Sequence, residues 1–415
     1  MKTLLLSIVL LGAMQVAVAQ TEDGSLYANS EKAFAEKNFS EYVRLGERLA
    51  QFSRNPYILF NLATAYTHIS SPQEALKILH ELADKRLVFN LDADPVFQKL
   101  NGMEEFEKVK AKFKANAVPI NTSDTAFMLS DPHLIPEGIA VDPRNGTFYI
   151  SSLAKEKVVV KSGNKPERDF IASKQNGIWA TLGMKVNTAA NQLWVCSSAE
   201  FGPEHGSSGI FSFDVKSGAL KRKATLDPKK GQHLFNDLAF DQQNTVYFTD
   251  SKAGKLYRLK AQGELEELLS TFIYPNGVAI DEKGENLFVA DYTGLTHIHL
   301  PTFKVEKISS KGVDWLDGVD GLYYYKGSLI AIQGFGGPEN DRIVKMKLDP
   351  SNAVVTEVKI LQTFRSDFRL PTTGTIYKDS FYYIANSYVR NLNPDGSVKP
   401  ENESMNTIIL KLPLE

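Results

Sequence analysis

Glu137-Gly138-Ile139-Ala140-Val141-Asp142, followed by Phe148-Tyr149-Ile150-Ser151-Ser152, reads as an apolar strand, a tight turn and a second strand. The same phrase recurs five times. Its copies are Leu182-Gly183-Met184-Lys185-Val186-Asn187 with Leu193 to Ser197, Asn236-Asp237-Leu238-Ala239-Phe240-Asp241 with Val246 to Ser251, and Asn276-Gly277-Val278-Ala279-Ile280-Asp281 with Leu287 to Asp291. The fifth is Asp320-Gly321-Leu322-Tyr323-Tyr324 with Ser328 to Gln333, and the sixth is Thr373-Gly374-Thr375-Ile376-Tyr377 with Phe381 to Asn386. Stretches between copies, such as Gly254 to Leu259 and Glu264 to Thr271, supply two further strands. Four strands repeated six times at a spacing of about 40 to 55 residues predict an all-β six-bladed propeller. Thr125 to Ser130 is a spare strand before the first copy, and Asn406 to Leu414 ends the last one. Pairing the two closes the ring and covers an edge.

Register then becomes convergence, because the first strand of every blade lines the central channel. The aligned starting residues are Glu137, Leu182, Asn236, Asn276, Asp320 and Thr373. Four of these six carry a carboxylate or a carboxamide, and such groups are costly to bury in a dry channel without compensation. Taken singly, Asn276-Gly277 and Asp320-Gly321 read as ordinary turn dipeptides and Glu137 as a solvated acid. Taken together they predict a divalent cation, and an all-oxygen donor set suits calcium better than zinc.

Pro136-Glu137-Gly138, Asn236-Asp237-Leu238, Pro275-Asn276-Gly277 and Val319-Asp320-Gly321, each followed by its strand pair, resemble the gluconolactonase, regucalcin and luciferin-regenerating family of six-bladed propellers. The resemblance covers roughly residues 125–415. It implies that Glu137, Asn236, Asn276 and Asp320 hold a catalytic divalent metal, usually calcium, and that Asp320 activates water or acts as nucleophile. Paraoxonases, diisopropylfluorophosphatases and strictosidine synthases are similar in fold, so the resemblance does not select a reaction by itself. Glu137 is followed by glycine and not by an acid, a departure that speaks against a second structural metal of the paraoxonase kind.

The turns inside the strand pairs are short, whereas Glu200 to Gly209, Lys229 to Phe235, Gly334 to Asp341 and Tyr388 to Met405 are long and emerge on the ligand side as walls or a lid. His233 lies on one of them, three residues before Asn236. It is a candidate general base, with a loop histidine that only touches substrate or water as the alternative. His205 is a weaker candidate of the same kind. Trp179, Tyr274 and Trp315 precede ring positions and form either an apolar wall or core. Cys196 sits in a second strand and reads as a buried small hydrophobe.

Ahead of the ring the pattern is helical. Leu59, Leu62, Ala63 and Tyr66, then Ala75, Ile78, Leu79 and Leu82, each recur with helical spacing. Ser71-Pro72-Gln73-Glu74 reads as a capping box, and Asn38-Phe39-Ser40-Glu41 is a weaker version 33 residues earlier. The segment Asn55 to Asp84 resembles one tetratricopeptide repeat. A short helix starts at Asp94-Pro95, a basic helix face spans Lys108 to Lys114, and Val118 to Asp124 is the linker. Residues 1–19, with Lys2, the apolar run Leu4 to Val18 and Ala17-Val18-Ala19, read as an export signal peptide and not as a membrane span. The organisation expected is therefore 1–19 signal, 20–117 small all-α helical-repeat domain, 118–124 linker and 125–415 propeller, in the periplasm or secreted.

The chain has 415 residues, a net charge of −2 and one cysteine. Near-neutral charge argues against nucleic acid as a partner, and a single sulfur excludes an intramolecular disulfide and a multi-thiolate zinc site. The expectation is a calcium-dependent, or other divalent-metal, hydrolase of a small-molecule lactone or related ester. The alternative is a non-catalytic propeller that binds a ligand or protein, with the helical domain recruiting a protein partner.

Overall fold

The computed structural model describes residues 22–415 except 200–203, 227–228, 230, 261, 313–315, 335–336, 338, 394 and 400–405. The expected signal peptide and Trp315 lie outside the described residues, as do parts of all four long loops.

Among the described residues five α-helices come first: α1 Glu22–Ala35, α2 Phe39–Phe52, α3 Pro56–His68, α4 Pro72–Asp84 and α5 Glu104–Asn116. Leu59 and Ala63 of α3 share one core with Leu76, Leu79 and Leu82 of α4, whereas Leu62, Tyr66 and Ala75, marked by the same spacing, enter a second core with α1 and α2. The caps depart from expectation. Asn38 accepts a hydrogen bond from the Glu41 N–H, whereas Ser71 stands at the N-cap of α4 without a side-chain bond, and Pro72 at the next position sets the helical φ instead. The Asp94-Pro95 element is a 3-10 helix, Pro95–Leu100. The lysines of α5 are surface groups paired with acids, Lys108 with Glu104 and Glu105, and Lys110 with Asp92.

The rest is six antiparallel sheets in a ring. The first is β2 Ile139–Asp142, β3 Thr147–Ser152, β4 Lys157–Lys161 and β5 Arg168–Ile171, ordered outward as in the chain. The next three repeat this order over Ala180–Leu226, Phe235–Leu269 and Val278–Lys307. The fifth runs from Val319–Tyr325 outward to Val354–Thr363 and gains a short parallel edge strand, Ser309–Ser310. The sixth is closed by β1 Asp124–Met128, which pairs with the last strand, Ile408–Pro413, so that Thr125 faces Leu410. The linker before β1 is pinned as well, since the Thr122 and Ser123 N–H groups donate to Gln362 Oε1 of blade 5.

Glycine in the inner strands has a different cause from the turn reading. Gly138 and Gly277 are not at positive φ. A Cβ on Gly138 would stand 2.0 Å from the Leu182 carbonyl oxygen, and one on Gly277 would stand 2.5 Å from that of Asp320. Neighbouring inner strands converge so tightly at the ligand end of the channel that only a hydrogen fits.

The helical region docks on that same end, over blades 4 and 5. Ile273 and the Tyr292 ring join the helical core, with Tyr27 edge-on to Tyr292 at 5.0 Å between centroids. Ser53 Oγ donates to Asp317 Oδ2 at 2.8 Å. Asn340 brackets the Val88 backbone, accepting from its N–H and donating to its carbonyl at 2.9 Å each, and the buried Arg342 donates to the Lys85 carbonyl. Apart from Arg342, which starts the third strand of blade 5, these propeller residues lie in connections at the end where second strands finish and inner strands begin.

Candidate active site

Inner strands start at the ligand end and second strands return to it, so residues flanking both meet there. Glu137 is held through its backbone. Its N–H and that of Gly138 donate to Ser151 Oγ, and the Thr372 and Thr373 hydroxyls donate to its carbonyl. Its carboxylate is buried, and Oε2 has no hydrogen-bond partner. Asn236 donates through Nδ2 to Ser251 Oγ at 3.0 Å, and Ser251 in turn donates to the Pro275 carbonyl. Asn276 donates through Nδ2 to Asp320 Oδ1 at 2.7 Å, while its own Oδ1 is buried and unpartnered. Asn276 and Asp320 are half-buried.

Burial pushes the Glu137 carboxyl well above the usual carboxylate range, with Asp320 and Asp237 adding repulsion. Burial likewise raises Asp320 to about 7, against the opposing hydrogen bond from Asn276. Asp237 adds repulsion at both Glu137 and Asp320. Asp237 belongs to the same group: its Oδ1 accepts from the Leu238 N–H, and its buried Oδ2 has no partner. Burial raises its carboxyl, and Lys185 opposes the rise. Lys185 donates to the Val278 carbonyl at 3.3 Å and lies 5.4 Å from the Tyr323 ring centre; burial lowers its ammonium.

The donor chemistry fits a hard cation. Buried acceptor oxygens on Glu137, Asp237 and Asn276 each lack a partner, and Asn276 is bonded to Asp320; carboxylates and amide carbonyls are calcium ligands. Among the described residues no group of three or more His, Cys, Asp and Glu side chains stands in metal-holding geometry. The candidate set draws on two carboxylates and two carboxamides.

His233 is buried, with Nδ1 2.6 Å from Asp250 Oδ2 and Nε2 unpartnered. His205 is exposed. Trp179 donates through Nε1 to Glu204 and packs edge-on to Phe211, so it serves blade 2. Tyr274 packs against the blade 2 and blade 3 core. Cys196 is fully buried and its thiol is raised far above the ordinary range by that burial, which removes it as a nucleophile. The blade 6 loop carries a small hairpin with Leu392 bridged to Val398. Leu392 shares an apolar cluster with Ile135 and Leu153 of blade 1 and Leu234 of blade 3, so the loop reaches over the channel mouth.

Residues 135–301 match the family model of the SMP-30/Gluconolactonase/LRE-like region. The propeller carries a gluconolactonase-like region. Solved propellers similar to it include a luciferin-regenerating enzyme, at 13% identity over 71% of this chain and 95% of that one, TM-score 0.50. A gluconolactonase from Xanthomonas campestris is 15% identical over 72% and 93% of the chains, TM-score 0.47. A calcium-binding regucalcin from Agrobacterium tumefaciens is 14% identical over 69% and 93%, TM-score 0.49. At such identities the likeness is one of fold. No curated protein matches the chain by sequence.

Asp237, Lys185 and Asp250 escaped the sequence reading. Asp237 stands where other copies have glycine, and Lys185 is a cation in an apolar strand; both are signals of a polar channel. Asp250 carried none, because blade 4 has Asp291 in the same place.

Proposed function

We propose that the gluconolactonase-like propeller is a divalent-metal-dependent hydrolase of a lactone or related ester, with calcium as the metal. Glu137, Asn236, Asn276 and Asp320 would hold the ion. The observation that carries this reading is that buried acceptor oxygens on Glu137, Asp237 and Asn276 are left without partners, with Asn276 bonded to Asp320. Such groups are costly to keep unpaired unless a ligand completes them.

A bound divalent cation supplies Lewis acidity toward a carbonyl oxygen. The chain's own residues do the rest. Ser251 and Thr249 fix Asn236 and the Asn276 backbone from the second strand of blade 3. Asp320, by the family resemblance, would take a proton from water or attack the acyl carbon. His233 is a second base at the ligand end, with its Nε2 free. The blade 6 hairpin and the docked helices wall off the mouth and limit water.

The test is hydrolysis of δ-lactones, aryl esters and phosphotriesters with and without calcium, in wild type and Asp320→Asn. Calcium-dependent turnover lost in the variant supports the enzyme. No turnover with any substrate class favours the binding propeller. A protein partner of the helical region has to use a surface other than the one spent on blades 4 and 5. Export is tested by N-terminal sequencing of the mature protein, which should begin at Gln20.

A further inference from the structure

We propose that Asp250 is a positioning residue that holds His233 as its Nδ1–H tautomer, leaving the Nε2 lone pair free at the ligand end of the channel. The inference rests on the reading of His233 as a base and adds the group that prepares it.

Asp250 closes the second strand of blade 3 and is completely buried. Its Oδ1 accepts from the Leu234 N–H at 2.9 Å and the Ala253 N–H at 3.2 Å, and its Oδ2 faces His233 Nδ1 at 2.6 Å. An ionised carboxylate only accepts, so the proton between the two lies on Nδ1. Neutral imidazole then carries its lone pair on Nε2, the atom that is buried and lacks a partner.

The repeat offers internal controls. In blade 1 the same place is Ser152, whose neutral hydroxyl accepts from the Lys155 N–H, so the turn does not require a carboxylate. In blade 4 it is Asp291, which accepts from the Ile273 and Thr293 N–H groups and from the Lys307 ammonium at 3.1 Å. Blade 3 puts an imidazole where blade 4 has a lysine. A carboxylate that orients histidine in this way is the third member of nucleophile–base–orienter triads, where exchange to the amide imposes the wrong tautomer.

The test is 15N NMR of the full chain labelled at histidine, at a pH where imidazole is neutral, with the His233 signals assigned by their loss in His233→Gln. The chain's seven histidines keep the spectrum tractable. The wild type should show a protonated Nδ1 and a bare Nε2 for His233. Asp250→Asn should invert this, because the two backbone N–H groups occupy the amide oxygen and its NH2 then donates to Nδ1. Asp291→Asn should leave the His233 signals unchanged. A wild-type Nε2–H tautomer, or an Asp250→Asn spectrum that matches wild type, overturns the proposal, and the wild-type measurement stands even if the variant does not fold. With phenyl acetate as probe, Asp250→Asn should lower kcat at least tenfold with KM held. Absence of esterase activity in the wild type counts against the hydrolase reading and leaves the tautomer result intact.

Discussion

The Asn276 side chain donates to Asp320 Oδ1 across the boundary between blades 4 and 5, at 2.7 Å. The Asn276 oxygen and Glu137 Oε2 stay without partners. Left unfilled, such buried acceptors cost stability. Glu137→Gln and Asp320→Asn should each raise the melting temperature in chelator and fail to respond to calcium. Wild type should gain about 2.7 kcal/mol at a calcium concentration of 100 Kd. Differential scanning calorimetry with calcium or EGTA reads both signs, and a wild type indifferent to calcium would remove the metal site.

The Asp317 carboxyl is buried under the helical region and is raised to about 6 by that burial, against the Ser53 hydrogen bond. The folded chain binds this proton more tightly than the unfolded chain, so the group's contribution is full below about pH 4 and is lost as pH rises through 6. The loss is about 3 kcal/mol for a shift of roughly two units. Asp317→Asn keeps an oxygen for Ser53 and removes the titration. Urea denaturation from pH 4 to 8 should show its stability relative to wild type increasing across the pH 4 to 6 window.

Asn340 matches both backbone groups of Val88. Asn340→Ala should cost about 1 to 3 kcal/mol, since two part-buried backbone groups lose partners. The change should appear as faster hydrogen exchange at the start of the 3-10 segment and in α4, with the protection of blades 1 to 3 unchanged.

Gly138→Ala places a methyl group 2.0 Å from the Leu182 carbonyl oxygen, and backbone has little room to retreat. A destabilisation of about 4 kcal/mol or more is expected, the range of severe core defects. Thermal unfolding measures it. A near-neutral result would mean that blades 1 and 2 can separate at the channel.

The blade register could be read from sequence because a strand pair with an acid, amide or glycine at its head is a local pattern, repeated often enough to outvote each copy. The same repetition hid Asp250, which differs from Asp291 only in what approaches it: His233 comes from the preceding loop, a contact with no signature in spacing. Docking of the helices was equally hidden. Ser53, Val88 and Tyr27 are unremarkable in their own helical context, and their partners Asp317, Asn340 and Tyr292 lie in propeller turns more than two hundred residues later. The Ser71 box shows the limit of a local signal, since the motif is present and its hydrogen bond is not.

The pairing of Thr125 with Leu410 has a consequence for biosynthesis. The first strand of the ring leaves the ribosome early and must wait for nearly the last residues of the chain before it finds its partner. The α-helices, whose contacts are short in sequence, can form long before then, while the unfinished ring exposes pairing edges that invite aggregation. Circular permutation that opens the chain between β1 and β2 and joins the old termini would place the two strands about 130 residues apart instead of 285, with the helical region between them. If late closure limits the yield of folded protein, that permutant should refold faster than the natural order while reaching the same native ring.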